Sequence, residues 1–201
     1  MKSDFFLVIL YKLIQISKNL LIKTYIFKIW SYEGEEIMKG IVHIRIDDRL
    51  LHGQVVAFWS NSLQISRVMV INDEVANDEL QKTFLRMVAP ANIRTSILGK
   101  ETAVKNILNE KYLGQRVMII VKNPKDILDL MDLGLDIKEV NVGNMAARKD
   151  TIQIKRSVSI TNDELGNFLE LEKRGVLLTA MMVPDEGKNY LKDYLKKAIK
   201  I

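Results

Sequence analysis

Cysteine is absent from this chain of 201 residues, and only two histidines are present. The lack of cysteine excludes disulfide bonds and thiolate metal sites. Two histidines cannot build a histidine-rich metal centre, so the composition argues against a zinc enzyme. The sequence also has no G-x-G-x-x-G motif, no P-loop and no basic stripe interleaved with aromatic residues. The net charge of +5 comes largely from scattered lysines, which we interpret as solvated helix faces.

Residues 1–37 differ in composition from the rest of the chain. They are rich in Ile, Leu, Lys, Phe and Tyr, with no proline and one glycine, Gly34. They contain no A-x-A-like cleavage site, which argues against a signal peptide. Lysines interrupt the apolar run, so no window approaches the roughly 20 residues that span a bilayer; these lysines are Lys12, Lys18, Lys23 and Lys28. An amphipathic helix on a membrane surface stays open as one interpretation.

The second interpretation is that residues 1–37 are not native protein. The sequence Glu-Gly-Glu-Glu at 33–36 precedes Ile37 and Met38. Glu-Gly-Glu can be encoded with a GGAG core, as in a bacterial ribosome-binding site just before a start codon. We therefore expect Met38 to be the true start and residues 38–201 to form the domain. Its net charge would be +4, because the first 37 residues carry five lysines and four acidic residues, which is +1 of the total of +5.

From Met38 onward, short β-branched runs alternate with longer amphipathic stretches. The pattern predicts an α/β fold, an open and mainly parallel β-sheet with helices on both faces. The predicted strands are 41–46, 67–71, 94–98, 117–121, 139–142, 152–158 and 176–183. The predicted helices are 53–62, 78–88, 101–110, 124–133, 162–174 and 187–199.

Ligands bind to such folds at the carboxyl ends of the strands. Polar segments follow several of the predicted strands: "DDRLLHG" from Asp47, "NDE" from Asn72, "KNP" from Lys122, "GN" from Gly143 and "PDEG" from Pro184. Parallel strands bring these ends to one edge of the sheet. We therefore predict that the loop ends at Asn72, Asp73, Gly143 and Asn144 line the same cleft as the first segment.

The histidine loop, residues 47–52, lies in the most informative of these segments. Gly53 and Gln54 begin a helical apolar pattern, so His52 is expected near a helix N-terminus, where unpaired N–H groups favour phosphate. A neutral imidazole is nucleophilic at physiological pH and can accept a phosphoryl group. Arg49 is suited to stabilising the phosphoryl oxygens. Asp47 or Asp48 could orient the ring through its other nitrogen.

Simpler interpretations exist for each of these residues. A lone histidine is more often structural than nucleophilic, and R-x-x-H spacing by itself is weak. Asp47 could simply cap a turn. We interpret His43, which alternates with Arg45 in a strand, as structural. The residues alone therefore indicate an anion-handling α/β domain with a candidate histidine.

A family resemblance adds to this interpretation. The sequence "RIDDRLLHGQVVAFW" resembles the active-site loop of IIB components of the mannose/fructose/sorbose family of the phosphoenolpyruvate-dependent sugar phosphotransferase system. "VMVINDEVANDE", "NVGNM" and "MMVPDE" follow in the order found in that family, so the resemblance covers almost all of residues 38–201. It implies an active-site loop after the first strand, with His52 as the phosphorylated histidine and Arg49 as the arginine of the same loop. Residues 1–37 have no counterpart in it.

The resemblance also implies a set of partners. The expected phosphoryl donor is a phosphorylated IIA protein or domain, and the expected acceptor is a sugar held by the membrane components IIC and IID. The implied activity is that of a protein-N(pi)-phosphohistidine–sugar phosphotransferase. No cofactor, metal or nucleic acid is expected. The implied location is cytoplasmic and peripheral to the membrane transporter, and a homodimer is plausible.

Two hypotheses from other classes are kept beside this one. A nucleotide- or nucleic-acid-binding regulatory module would suit the basic charge and the α/β pattern, although the usual motifs are missing. A membrane-anchored interaction protein would use residues 1–37. Acceptance of an acid-labile, base-stable phosphate from phosphorylated IIA would distinguish the carrier from both.

Overall fold

The computed structural model describes residues 38–199. The predictions for residues 1–37 lie outside these residues. Eight strands are present in the described part of the chain: β1 (Ile41–Asp47), β2 (Arg67–Ile71), β3 (Arg94–Leu98), β4 (Val117–Val121), β5 (Glu139–Asn144), β6 (Ile152–Lys155), β7 (Val158–Ile160) and β8 (Leu177–Thr179).

Helices connect most of these strands, as the alternating pattern predicts. They are α1 (Gly53–Leu63), α2 (Asp73–Ala76), α3 (Glu79–Val88), α4 (Lys100–Leu108), α5 (Pro124–Asp132), α6 (Asn162–Lys173) and α7 (Lys192–Ile199), with a short 3-10 helix at Pro184–Glu186. None of the helices within residues 38–199 is long and apolar enough to cross a membrane.

Six strands form one sheet in the order β3-β2-β4-β1-β5-β8, and every pair in it is parallel. The predicted fold class is therefore confirmed. β4 is buried along its whole length, which explains why it reads as a continuous apolar run in the sequence. β1 lies near the centre of the sheet, between β4 and β5. The loop that follows β1 therefore emerges at the middle of the carboxyl edge.

Two separate hydrophobic clusters cover the two faces of the sheet. On one face, Val56 and Trp59 of α1 pack with Val68 and Val70 of β2. On the other face, residues of α4, α5, α6 and α7 pack against β1, β4 and β5. The helix after β1 and the helix after β4 thus lie on opposite faces of the sheet, although these two strands are neighbours. This reversal opens a crevice at the carboxyl ends of the strands, where ligands bind in open α/β sheets.

Three predicted elements differ from the structure. The predicted strand 152–158 is the first part of an antiparallel hairpin, β6 and β7, which is separate from the main sheet. The predicted strand 176–183 ends at Thr179, because the chain then turns and uses its carbonyl groups for contacts with buried side chains. The terminal helix begins at Lys192, since Gly187 adopts a positive φ of 69° that no helix contains.

Candidate functional site

The backbone of the histidine loop is fixed by buried side chains and hydrogen bonds. Leu50 and Leu51 are buried in the same cluster as Trp59. Leu50 has a φ of 60°, a conformation that few non-glycine residues adopt, and its N–H donates to the carbonyl of Asp47 at 2.9 Å. The residues on either side of the two leucines, Arg49 and His52, are both exposed. The strained turn therefore presents these two side chains to solvent.

His52 occupies the N-cap position of α1. Its backbone is extended, with φ −128° and ψ 127°, and its carbonyl accepts the first helical hydrogen bond from Val56 at 3.0 Å. Its side chain makes no capping hydrogen bond, and the first turn of α1 contains no acidic residue. The first N–H groups of a helix have no partner within the helix, and the helix dipole adds a positive potential there. An anion at His52 would meet this uncapped N-terminus.

Asp47, the last residue of β1, is shared by two arginines. The Arg45 guanidinium donates to Asp47 Oδ2 through Nη2 at 2.9 Å and through Nε at 3.3 Å. Arg49 donates to Oδ1 through its backbone N–H at 3.3 Å and through Nε at 3.2 Å. Asp47 and Arg45 are fully buried, whereas the Arg49 side chain is 36% exposed. The three side chains together carry a net charge of +1 where β1 enters the histidine loop.

Arg45 is a residue of this site that the sequence analysis did not predict. Its Nη1 donates to the carbonyl of Met181 at 3.0 Å, and its Cζ lies 5.8 Å from the ring centroid of Trp59. Burial lowers the pKa of Arg45, and the charge of Asp47 opposes this effect. The sequence does contain a pattern that indicates this pairing of Arg45 with Asp47. Residues 45 and 47 share one face of a central strand, and a buried arginine there needs a charged partner.

His43 is the second histidine, and the structure supports its interpretation as structural. Its ring stacks on Trp59 with centroids 4.3 Å apart, and its Nε2 is buried without a hydrogen-bond partner among the described residues. Burial and the positive charge of Arg45 lower the pKa of His43 to about 3. The ring is therefore neutral at physiological pH and acts in packing.

Asp48 connects the histidine loop to the end of β5. Its Oδ1 accepts from Asn144 Nδ2 at 2.7 Å, and its Oδ2 accepts from the backbone N–H of Ala146 at 2.6 Å. The backbone N–H of Asp48 also donates to the carbonyl of Asn144 at 3.1 Å. Asp47 and Asp48 thus hydrogen-bond to groups other than the His52 ring. Direct orientation of the ring by Asp47 or Asp48 stays a prediction.

Gly143 and Asn144 are the last two residues of β5, and Asn144 reaches the histidine loop through its hydrogen bond to Asp48. A Cβ added to Gly143 would overlap the guanidinium of Arg45, so only glycine leaves room for that side chain. Gly53 has a different surrounding, because its Cα faces the end of α3, where an added Cβ would lie 3.5 Å from Val88. Gln54 lies in the first turn of α1, and its side chain is outside the described part of the structure.

Asn72 and Asp73 lie at the same edge of the sheet but bind other groups. Asn72 caps α2 by accepting from Val75 N at 3.0 Å. Asp73 accepts from Lys100 N at 2.8 Å and lines an open hollow of about 710 Å³ beside α4. β2 and β1 both pair with β4, so the end of β4 separates these residues from the histidine loop. They stabilise neighbouring turns, and within residues 38–199 their side-chain hydrogen bonds go to Val75 and Lys100.

Comparisons with known proteins identify the family. Residues 41–201 match the model of the "PTS system sorbose subfamily IIB component". The chain belongs to this family. It is 34% identical over 163 residues to the fructose-specific EIIB component of Bacillus subtilis (strain 168), covering 81% of this chain and 100% of that protein. It is 37% identical over 153 residues to the mannose-specific EIIAB component of Escherichia coli (strain K12), covering 76% of this chain.

The chain spans about half of that EIIAB protein, 47% of its length. Among solved structures, the IIBSor domain of the sorbose permease from Klebsiella pneumoniae superposes with a TM-score of 0.73 at 34% identity, covering 78% of this chain and 96% of that domain. The predicted family resemblance is thereby confirmed. IIB components of this system are phosphotransferases that act in sugar uptake. The property of the site that matters is therefore its ability to bind and transfer a phosphoryl group.

Proposed function

We propose that His52 accepts a phosphoryl group from a phosphorylated IIA protein and passes it to a sugar held by membrane components IIC and IID. The observation that carries this proposal is the position of His52. It is an exposed imidazole at an uncapped helix N-terminus, and Arg49, three residues earlier in the same loop, is also exposed. No other described histidine fits this role, because the Nε2 of His43 is buried against Trp59.

The chemistry requires little beyond positioning. In the first transfer, the P–N bond to the donor imidazole breaks as a P–N bond to His52 forms, so the two sides are nearly matched in energy. In the second transfer, that bond breaks as a sugar hydroxyl attacks phosphorus, and the hydroxyl proton passes to the imidazole nitrogen that the phosphoryl group leaves. Helix N–H groups and a guanidinium stabilise the negative charge on the phosphoryl oxygens in both steps. The fixed loop holds the helix N–H groups in place before the partner arrives.

The proposal specifies the substrate only as a sugar and does not name which sugar. Relatives whose names specify fructose, mannose and sorbose share 34%, 37% and 37% identity with this chain. Similarity at this nearly equal level does not select one sugar. The proposal therefore concerns a sugar hydroxyl presented by the membrane partners at the carboxyl edge of the sheet.

The test is phosphoryl transfer to the purified protein. The protein should acquire an acid-labile, base-stable phosphate from phosphorylated IIA, and mass spectrometry should place it on the peptide that contains His52. His52→Ala should accept none while keeping the unfolding temperature of the parent, because an exposed loop side chain adds little to packing. His43→Phe, which preserves the stack on Trp59, should accept phosphate normally. Normal labelling of His52→Ala would refute the assignment.

A further inference from the structure

The geometry points to different roles for the two arginines that share Asp47: Arg45 is its permanent counter-ion, and this frees Arg49 to leave Asp47 for the phosphoryl group on His52. The inference rests on the proposed function of His52. It assigns a positioning role to Arg45, a residue that touches neither the histidine nor its phosphoryl group.

Arg45 has no freedom to leave Asp47. Its side chain is fully buried, and Nε, Nη1 and Nη2 are all hydrogen-bonded, to Asp47 and to the carbonyl of Met181. One side of the guanidinium faces the ring of Trp59, and Gly143 lies against it without a side chain. Moving this group would leave a charge and several donors unpaired in the interior, which is strongly unfavourable.

Arg49 is held much less firmly. Its two side-chain hydrogen bonds to Asp47 measure 3.2 and 3.5 Å, and its side chain is 36% exposed. Water can therefore replace these bonds at small cost. The positive charges of Arg45 and Arg49 also repel each other, and this repulsion contributes to lowering the pKa of Arg45. Of the two arginines, Arg49 is the one that can move.

The buried charge of Asp47 explains why two arginines are needed. If Arg49 were its only partner, each movement of Arg49 toward the phosphoryl group would leave a buried carboxylate uncompensated. Arg45 keeps that carboxylate paired in both states. A phosphoryl group on His52, with its several charged oxygens, can then compete for Arg49 by accepting two parallel N–H donors.

Arginine side-chain NMR on the full chain tests this directly. The ¹⁵Nε–Hε signals of Arg45 and Arg49 would be assigned by single replacement and followed while phosphorylated IIA is added, with ³¹P spectra reporting phosphohistidine. We expect the Arg49 signal to shift on phosphorylation, whereas the Arg45 signal stays in place and exchanges slowly with water in both states. If phosphohistidine forms on His52 and the Arg49 signal does not move, this inference fails and the proposed function stands. If none forms, both fail.

A pair of substitutions tests the role of Arg45 by kinetics. Arg45→Lys loses one of the two N–H donors that Asp47 Oδ2 accepts from Arg45, so Asp47 should retain Arg49. The rate at saturating donor should then fall at least about tenfold with little change in KM for the donor. Adding Asp47→Asn removes the charge that retains Arg49 and should restore part of that rate. A purely structural role predicts that the double variant is no faster than Arg45→Lys, and this result would overturn the inference.

Arg67→Lys is the matched control. Arg67 is a part-buried arginine on β2 that donates to Gln115 and Ser96, and its replacement should keep the parent rate.

Discussion

The guanidinium of Arg45 occupies the space in which a side chain at Gly143 would lie. Gly143 is on β5 and Arg45 is on the neighbouring strand β1, where residue 45 pairs with Asn141. Both residues are buried. The glycine therefore serves close packing against a charged group, and the "NVGN" segment and the histidine loop depend on each other physically.

Gly143→Ala should destabilise the protein and disturb the site together. The added methyl group must displace Arg45 from Asp47, so overpacking and a disrupted buried ion pair both contribute, and the free energy of unfolding should fall by about 3 kcal/mol. Urea unfolding measures this loss. Gly166→Ala is the control, because an added Cβ there meets nothing within 4 Å in α6, and it should raise stability by up to about 1 kcal/mol. Equal stability of the two variants would contradict the steric argument.

Asp48 and Asn144 should act as one unit in phosphoryl transfer. Their 2.7 Å hydrogen bond joins the histidine loop to the end of β5. Asp48→Asn and Asn144→Ala should each slow single-turnover transfer, and the double variant should be little slower than the slower single variant, with a coupling of at least about 0.5 kcal/mol. Asp132→Asn, which removes an exposed ion pair with Arg174, should leave the rate unchanged. Additive effects of the two substitutions would show that this bond does not hold the loop.

His43 should make the stability of the fold sensitive to mild acid. Its pKa is about 3 in the folded protein, below the usual 6.5, so the unfolded chain binds a proton that the folded protein does not. Stability should be complete above pH 6.5 and fall as the pH drops toward 3. This residue alone should cost about 2 kcal/mol by pH 5. His43→Phe should lose less stability than the parent between pH 7 and pH 5, and identical pH profiles in urea unfolding would refute this account.

Sequence reasoning succeeded where local pattern decides structure. The bounds of β2, β3 and β4 agree with their predictions. β2 and β4 are buried almost throughout, and such strands read as short apolar runs in the sequence. It missed α2, since four residues are too few to show helical periodicity. It also read β6 and β7 as one strand, because the turn at residues 156–157 contains neither glycine nor proline.

Asp47 and Gly143 were named from the sequence, but Arg45, the buried side chain that contacts both, was missed. His52 and Arg49 follow from the motif and the expected helix start. Arg45 and the carbonyl of Met181 come together only through the sheet order, which places β8 beside β5 and β5 beside β1. That order depends on pairing between residues far apart in the sequence, 96 positions for Arg45 with Asn141 and 38 for Asn141 with Thr179, and no local pattern carries it.

Arg49→Lys should slow transfer although it keeps the charge. A lysine cannot offer two parallel donors to phosphoryl oxygens, so the single-turnover rate should fall by about tenfold or more. The unfolding temperature should change little, because the side chain is partly exposed and its bonds to Asp47 are long. Arg94→Lys, at the exposed start of β3, is the control for the loss of a guanidinium. If Arg49→Lys transfers the phosphoryl group as fast as the parent protein, the two parallel donors of the guanidinium are not needed for transfer.

A chain that begins at Met38 should fold and accept phosphate at the parent rate. The family match begins at residue 41, and the described part of the chain, from Met38 onward, already contains a six-stranded sheet with a hydrophobic cluster on each face. We therefore propose that residues 1–37 are dispensable for transfer. Urea unfolding and single-turnover transfer would compare this chain with the full-length protein, and N-terminal sequencing of protein from its own cell would show which residue comes first. A chain from Met38 that fails to fold, or native protein that begins at Met1, would give the first 37 residues a role and favour a membrane-surface or partner-binding segment.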